Sequence, residues 1–128
     1  MTPLDKFYEW LSLAGGAAGY APSRGDWVER TSNAGQRLVA MRSMGGRAPG
    51  VIQRYPTVQV WVIGKRDERN VQGALQELEA FADSLVILAE ETPWTDTLAQ
   101  IRPMGDIMGP VFTAENRPVY SVSFELIL

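Results

Sequence analysis

The side chains that most often carry chemistry are missing from this chain, whose 128 residues include no cysteine and no histidine. Without cysteine there is no thiol nucleophile, disulfide or zinc knuckle, which fits a reducing compartment. Without histidine the chain lacks the commonest metal ligand and the commonest general base near neutral pH. A hydroxyl nucleophile needs a base beside it, and only carboxylates and two lysines remain for that role. We therefore predict no enzyme, and no catalytic, metal-binding or cofactor-binding residues.

One segment, "GGRAPGVI" at residues 45–52, partly matches a phosphate-binding loop. Four residues separate Gly45 from Gly50, as that loop requires. The next two positions should hold Lys and then Ser or Thr, but Val51 and Ile52 stand there, and no helical pattern follows. The charge that would hold the terminal phosphates is therefore missing, and we interpret the segment as a flexible, hairpin-like loop.

Charged residues are the next candidates for a binding site. The acidic pairs Asp67–Glu68 and Glu90–Glu91 lie at predicted helix ends, where adjacent side chains point about 100° apart and form no ready metal clamp. Ten of the 12 basic residues are arginine, which favours a protein contact surface, and the net charge of -3 argues against nucleic-acid binding. Six arginines either line such a surface or form an ordinary solvated face: Arg42, Arg47, Arg54, Arg66, Arg69 and Arg117.

Hydrophobic periodicity predicts two helices. Residues 2–14 begin with a capping pattern, in which Thr2 is the N-cap and an aspartate follows three residues later, ahead of an apolar face. Residues 67–90 carry an apolar stripe at helical spacing, with Asp67 or Asn70 as the candidate cap. Both helices are amphipathic, so we expect each of them to cover a sheet.

Strand patterns account for much of the remaining chain. After a loop at residues 21–36, residues 37–44 are predicted to form a first strand. Residues 57–64 form the clearest strand, and their apolar side chains fall on both faces, as in a central strand. Residues 98–104 are predicted to form a further strand, which Pro103 assigns to an edge or a bulge.

The C-terminal segment has the most regular alternation. Residues 105–110, "GDIMGP", are predicted to bend the chain, and residues 111–113 and 119–128 to form a hairpin. From Val119 onward apolar and polar residues alternate. An exposed strand edge must be protected or used for pairing, so we expect this strand to offer an edge that a neighbouring subunit completes.

Together these elements predict one domain, residues 1–128, of the α+β class. We expect a mixed or antiparallel β-sheet packed on one side by the N-terminal helix and one long central helix. A chain of this length buries roughly two-thirds of its surface and needs neither disulfide nor metal to hold a core. No apolar run reaches transmembrane length and no signal peptide is recognised, so no membrane contact is expected.

With its elements in this order, the chain resembles the tail terminator (tail completion) proteins of long-tailed, lambda-like bacteriophages. The shared features are an N-terminal helix, a strand, the Gly-Gly loop with prolines "GGRAPGVIQRYP", a "VQVWV" strand and one long helix. The closing segment "PVFTAENRPVYSVSFELIL" is similar to that family's acidic, Asn-containing turn, Arg-Pro step and terminal strand of alternating aromatic and small residues. The turn departs from the usual Asp-Glu, with Ala114–Glu115 in its place, and the resemblance is weakest over residues 15–36.

The resemblance implies a structural virion protein rather than an enzyme. It implies a homohexameric ring that caps the head-proximal end of the tail tube, ends tube polymerisation and presents a surface to the head–tail connector. The implied partners are other copies of the chain, the tail tube protein and the connector protein, while DNA only passes through the ring lumen. The implied location is the virion tail, after assembly in the host cytoplasm. The alternatives are a head-completion or stopper protein of the same connector, and a small non-viral ligand-binding α+β domain.

Two segments are candidate contact surfaces on this interpretation. The first is the loop at residues 45–56, because arginine and apolar side chains on a mobile loop become ordered when a partner buries them. The second is the terminal hairpin. The candidate interface residues are Arg47, Val51, Ile52, Arg54, Tyr55, Arg117 and Tyr120. In the alternative, the loop folds back on its own domain and Val51 and Ile52 join a satellite core.

Overall fold

The fold comes from a computed structural model of the chain. The described segments are residues 2–13, 20–24, 36–47, 55–67, 72–92, 100–114 and 116–127. In chain order, the elements are α1 (Pro3–Leu13), β1 (Ala21–Arg24), β2 (Leu38–Arg47), β3 (Tyr55–Ile63), α2 (Ala74–Glu91), β4 (Gln100–Pro103), β5 (Met108–Phe112) and β6 (Pro118–Ile127). The predicted α+β class, with two helices on a sheet, is confirmed.

Six strands form one mixed sheet in the order β1-β2-β3-β6-β4, and β5 also pairs with β6. β1 and β2 run parallel, whereas the other pairs are antiparallel. β3 lies between β2 and β6, which confirms the prediction of a central strand. Its valines Val58, Val60 and Val62 are fully buried on one face, and Ile63 is fully buried in a separate cluster.

The prediction that the C-terminal strand offers an open edge is wrong. β6 lies inside the sheet, with β3 along one side and both β4 and β5 along the other. β5 covers the first part of β6 and β4 the last part, so these two short strands form the edge, as Pro103 predicted for β4. Alternation reports that one face of a strand is buried, but it does not report how many strands pair with its backbone.

β1 lies at the other end of the strand order, within a segment that the sequence predicts as a loop. Its residues, "APSR", show no apolar alternation and include a proline, so local propensity opposes a strand. It nevertheless pairs in parallel with β2, from Ala21 opposite Leu38 to Arg24 opposite Met41. Whether so short a segment forms a strand depends on the neighbouring strand that pairs with it. The local sequence pattern does not contain that information.

Both helices pack on the same face of the sheet, where the main core lies. α1 contributes Phe7, Trp10 and Leu11, and α2 contributes Leu78, Ala82, Leu85 and Ala89. The sheet contributes Val39, Met41, Val58, Val60, Val62, Ile101, Tyr120, Val122, Phe124 and Leu126. A smaller cluster holds Leu38, Ala40 and Ile63, with Trp61 and Val119 packed against it. It lies on the opposite face, because these residues alternate with the core residues along their strands.

Different contacts hold the starts of the two helices. At α1, the backbone N–H of Asp5 donates to Thr2 Oγ1 (3.2 Å) and the N–H of Thr2 donates to Asp5 Oδ2 (3.1 Å), so the predicted cap is present. α2 starts later than predicted, after Gly73, which has φ of 79° and serves as the N-cap. Asp67 therefore does not cap α2, and the other candidate, Asn70, lies outside the described residues.

An aromatic cluster joins α1 to the sheet and to the end of α2. The ring centroids of Phe7 and Phe124 are 5.6 Å apart, and those of Trp10 and Phe124 are 6.2 Å apart. Trp10 Nε1 also donates to the backbone oxygen of Thr92, 2.7 Å away, just beyond α2. A buried tryptophan needs a partner for its N–H, and this bond fixes one helix against the other.

Candidate assembly surface

The loop predicted to contact a partner connects β2 with β3. Val51, Ile52 and Arg54 lie outside the described residues. Arg47 ends β2, where its backbone pairs with that of Tyr55, and the side chain of Tyr55 is half-buried. Residues 42–45, near this end of β2, are all exposed, so the strand leaves the packed part of the sheet before it reaches the loop. The partner contact of this loop stays a prediction.

Arg117, the second candidate contact, is fully buried within its own chain. Its Nη1 donates to two backbone oxygens, that of Gln36 at 3.2 Å and that of Gly64 at 3.1 Å. Its backbone N–H donates to Thr113 Oγ1 at 3.1 Å. The side chain of Arg117 therefore connects the start of β2 with the end of β3, and its backbone N–H bonds within the β5–β6 turn. A buried guanidinium occupied in this way supports the sheet, and we reassign Arg117 from partner contact to that role.

The two connections that Arg117 touches also bind one another directly. Asp67 and Asn116 are non-glycine residues with positive φ, 62° and 61° respectively. The Nδ2 of Asn116 donates to Asp67 Oδ1 (2.7 Å), and the backbone N–H of Asp67 donates to the oxygen of Asn116 (3.0 Å). Asn and Asp tolerate this conformation better than other side chains do. The Asn-containing turn noted in the sequence is thus part of the framework at this end of the sheet.

Tyr120, the remaining candidate, points into the helix-covered core and is 4% exposed. Burial raises the pKa of its phenol above the ordinary value, and the negative charge of Glu79 raises it further. A side chain in this position has little surface to offer a partner. We therefore reassign Tyr120 to the core as well.

Exposed apolar side chains concentrate instead between residues 104 and 112, a segment that we call the apolar arm. Met108 is 70% exposed, Val111 65%, Met104 45% and Phe112 37%. Only two other large apolar residues among those described are comparably exposed, Met44 and Ile87. Exposed apolar residues that cluster in this way mark interaction sites more often than scattered ones do.

The apolar arm belongs to the sheet edge but is poorly suited to pair with a further strand. Pro103 and Pro110 have no N–H to donate, and the register of β5 on β6 shifts between Met108 and Val111. Within the described segments, β4 and β5 pair with β6 alone. Proline and bulges are the usual protection of an edge against strand addition. The arm therefore offers side chains, rather than backbone groups, to a partner.

The sequence does not predict the apolar arm, because the glycines and the proline of residues 105–110 indicate a bend. A signal was present: the stretch "MGDIMGPVF" puts large apolar residues among glycines and a proline, where a plain surface turn would carry polar ones. The pattern identifies the residues as unusual for a turn. The pattern does not show that these residues are exposed, because a buried bend could have the same sequence.

The outward face of α2 is acidic, in contrast to the apolar arm. Between Ala74 and Glu91 the helix carries five carboxylates and no basic residue. The carboxylates are Glu77, Glu79, Asp83, Glu90 and Glu91, and all of them are exposed. Ile87, 45% exposed, lies among the last three of these. One ion pair reaches this face from the sheet, since Arg37 Nη2 lies 2.7 Å from Glu77 Oε2.

A charged pair lies beside the arm on the face of the sheet opposite the helices. Arg102 on β4 faces Glu125 on β6, and its Nε and Nη2 both donate to Glu125 Oε1. The Glu125 side chain is 4% exposed, whereas that of Arg102 is 49% exposed. The arginine thus neutralises a buried carboxylate on one side and presents the rest of its guanidinium to solvent.

Two further structural features are absent from the described segments. No three acidic side chains there come close enough to hold a metal ion. Neither described helix is long and apolar enough to cross a membrane. The described surface carries an apolar arm, an acidic helix face and an exposed strand end.

Solved structures provide a comparison for the fold. Eight solved chains match this one. One of them aligns over 95% of this chain and 91% of its own length, with a TM-score of 0.56 and 17% sequence identity, and its title states no function. At this identity the likeness shows the fold alone. No curated protein matches the chain.

The family comparison covers the whole chain and confirms the resemblance noted in the sequence. A family model described as phage tail termination protein matches residues 1–128. That family is structural, which agrees with the sequence-based prediction of a component of the virion tail. The protein belongs to the phage tail termination family.

Proposed function

We propose that this chain forms a ring, expected to be a hexamer, that caps the head-proximal end of the phage tail tube. The ring stops further addition of tube subunits and presents its other side to the head–tail connector, and DNA passes through its lumen. The observation that carries this proposal is the family match over residues 1–128. Assembly takes place in the host cytoplasm, where the chain needs no cofactor.

The surface of the fold supports an assembly role. A ring requires each copy to present two different patches that fit one another, because the contact between neighbours is heterologous. The described residues offer such distinct patches on separate elements: the apolar arm at one sheet edge and the acidic face of α2. The well-packed core between them lets a partner bind these patches without reorganising the fold.

The loop between β2 and β3 is proposed as the contact with the tail tube. Its candidate residues remain Arg47, Val51, Ile52, Arg54 and Tyr55. The exposed end of β2 that leads to it, including Met44 with 49% exposure, supports a loop that extends from the sheet. Arginine and tyrosine are also among the commonest interface hot spots.

Electron microscopy of the purified protein mixed with isolated tail tubes tests the capping role. We expect density at one end of each tube, and tubes that no longer elongate when tube protein is added. Tubes without the protein should continue to grow at that end. Decoration along the wall, or at neither end, would contradict the proposal. A head-completion or stopper protein, the alternative function, would bind the connector without binding isolated tubes.

The double variant Arg47→Glu with Arg54→Glu tests the loop. If the loop contacts the tube, the variant should melt as the wild type does but fail to cap, because two carboxylates replace two cations at the contact. The matched control is Lys65→Glu with Arg66→Glu, which makes the same charge change at the other end of β3. Loss of capping in the control alone would move the contact away from the loop.

A further inference from the structure

We infer that four side chains form a clasp that holds β1 on the sheet as a detachable cover over the edge of β2. The clasp consists of Tyr20, Arg37, Glu77 and Phe81. While the clasp is intact, β1 occupies the edge of β2. When the clasp is broken, β1 leaves the sheet and a strand of a second copy can pair with that edge. The inference concerns the free protein and does not depend on the proposed ring.

β1 gains little stability from its own pairing. It ends the strand order, so within the described segments it pairs with β2 alone, and it contributes only the four residues Ala21–Arg24. One of these, Pro22, has no N–H to donate. The strand also lacks the β-branched and aromatic residues that favour strands. A contact outside β1 therefore supplies much of the free energy that keeps it beside β2.

The residue directly before β1 makes that contact. The ring of Tyr20 stacks on the ring of Phe81 in α2, with centroids 3.8 Å apart and planes inclined by 18°. Both rings are half-buried and pack against the main core. Stacked aromatic rings contribute more than their buried area alone. Because β1 begins at the next residue, a tyrosine fixed on α2 also fixes the start of the strand.

Arg37 and Glu77 complete the clasp beside this stack. β1 and β2 start opposite one another, so Tyr20 and Arg37, each one residue before its strand, lie side by side. The guanidinium of Arg37 lies 5.9 Å from the centre of the Tyr20 ring, and its Nη2 lies 2.7 Å from Glu77 Oε2. Glu77 and Phe81 are four residues apart on α2 and are therefore neighbours on its surface. The Glu77 side chain is 65% exposed, so the ion pair contributes less than the aromatic stack.

The edge that β1 covers is the one that most needs protection. Residues 38–41 of β2, "LVAM", are all buried and apolar, and they include no charge and no proline. An open edge on such a strand is a template for pairing with another chain. The opposite edge of the sheet carries Pro103 and Pro110, which disfavour such pairing. With β1 in place, a proline-containing strand borders the sheet on both sides.

Hydrogen exchange of the full chain, followed by NMR at single residues, tests the clasp. Tyr20→Ala removes the stack. We expect the amides of residues 21–24, and those of β2 that face β1, to exchange at least about tenfold faster than in the wild type. Amides of β3 and β6 should keep their wild-type rates, because β1 detaches without unfolding of the core. Tyr20→Phe is the matched control, and it should stay close to the wild type because it keeps the ring.

Two further variants act on the clasp from its other members. Phe81→Ala breaks the same stack from the helix side, and we expect it to match Tyr20→Ala at residues 21–24. Arg37→Gln removes only the ion pair and should have a smaller effect. Light scattering at rising protein concentration measures the consequence for the edge. Both alanine variants should form larger species than the wild type and Tyr20→Phe form at the same concentration, because the edge of β2 is open.

Three outcomes would overturn the inference. If exchange is equally faster in β3 and β6, Tyr20 is an ordinary core residue and holds no separate strand. If residues 21–24 exchange at the wild-type rate in both alanine variants, β1 stays on the sheet without the clasp. If β1 detaches and neither alanine variant forms larger species, β1 does not serve as a cover for the edge of β2.

Discussion

The central strands and the apolar arm are made of similar residue types but differ in what surrounds them. In β3 and β6 the alternating apolar side chains, such as Val60 and Val122, are almost completely buried under two helices. In β5 every residue is exposed, although three of the five are Met, Val and Phe. β3 and β5 both pair with β6, so strand pairing alone does not explain the difference.

The comparison shows that burial, rather than residue type, separates the two regions. Burial of apolar area beneath the helices stabilises the chain, whereas apolar area left in water on the arm contributes little to its own fold. Exposed apolar patches of this kind often mark a site that a partner buries. Substitutions in the two regions should therefore affect different measurements.

The largest effect is expected for Phe124→Ala in the core. Phe124 is fully buried and packs against the rings of Phe7 and Trp10, so truncation leaves a cavity that the neighbours fill only in part. We expect the free energy of unfolding to fall by about 3–5 kcal/mol, measured by urea denaturation.

The matched change on the arm is Met108→Ala. It should alter the free energy of unfolding by no more than about 0.5 kcal/mol, because the side chain is mostly in water. Capping of tail tubes should weaken instead. If the arm variant is as destabilised as the core variant, the separation between stability and assembly does not hold.

A smaller loss of stability than that of Phe124→Ala is expected for Arg117→Met, which removes the buried guanidinium but keeps much of its volume. The buried backbone oxygen of Gly64 loses its donor, whereas Gln36 is exposed and its oxygen can accept from water instead. Because an unsatisfied buried group costs about 1–3 kcal/mol, we expect a loss of that size in urea denaturation.

Arg117→Lys serves as the control for charge at this position. It keeps the positive charge but not the planar fork, so it should recover part of the loss and not all of it. If Arg117→Met instead unfolds at the wild-type urea concentration and prevents capping, Arg117 is a contact residue after all.

The smallest effect is expected for Tyr120→Phe and depends on pH. The folded-state pKa of Tyr120 is raised above its ordinary value of 10.0, by burial first and by Glu79 second. As the pH rises past 10, the unfolded chain loses this proton while the folded chain retains it, so stability is lost on the alkaline side. Below that range the protonated form is present in both states, and the group adds no pH dependence.

The comparison of Tyr120→Phe with the wild type should therefore be made by thermal melting between pH 8 and about pH 11. The difference between the two proteins should stay constant up to pH 10 and then shift in favour of the variant. A constant difference over the whole range would show that Tyr120 ionises as freely in the fold as in the unfolded chain.

The elements that the sequence predicts best are those whose pattern reports burial. The stripe of α2, the capping pair at Thr2 and Asp5, and the valines of β3 all follow from the period of a helix or a strand. β1 escaped prediction because "APSR" has no period, and the start of α2 was misplaced because Gly73, not Asp67, is its cap. Positions that depend on a distant neighbour were the ones missed.

The candidate surface shows the same limit more clearly. Arg117 and Tyr120 are predicted contact residues because they belong to the terminal hairpin, one of the two candidate contact surfaces. The fold buries both, since Arg117 meets two carbonyl oxygens from distant segments and Tyr120 faces the helices. The arm was overlooked because exposure of an apolar residue is decided by what covers it.

The sequence by itself determined the α+β class, the two amphipathic helices, the central position of β3 and the resemblance to a tail terminator. The first three follow from local residue order, because periodicity and turn chemistry act over a few residues, whereas the resemblance rests on the order of the segments along the chain. Only the tertiary structure decided that β6 is an interior strand, that Arg117 is buried and that Met108 and Val111 face water. These three features depend on which distant segments pack together. The free energy of that packing belongs to the folded chain as a whole and not to any single segment.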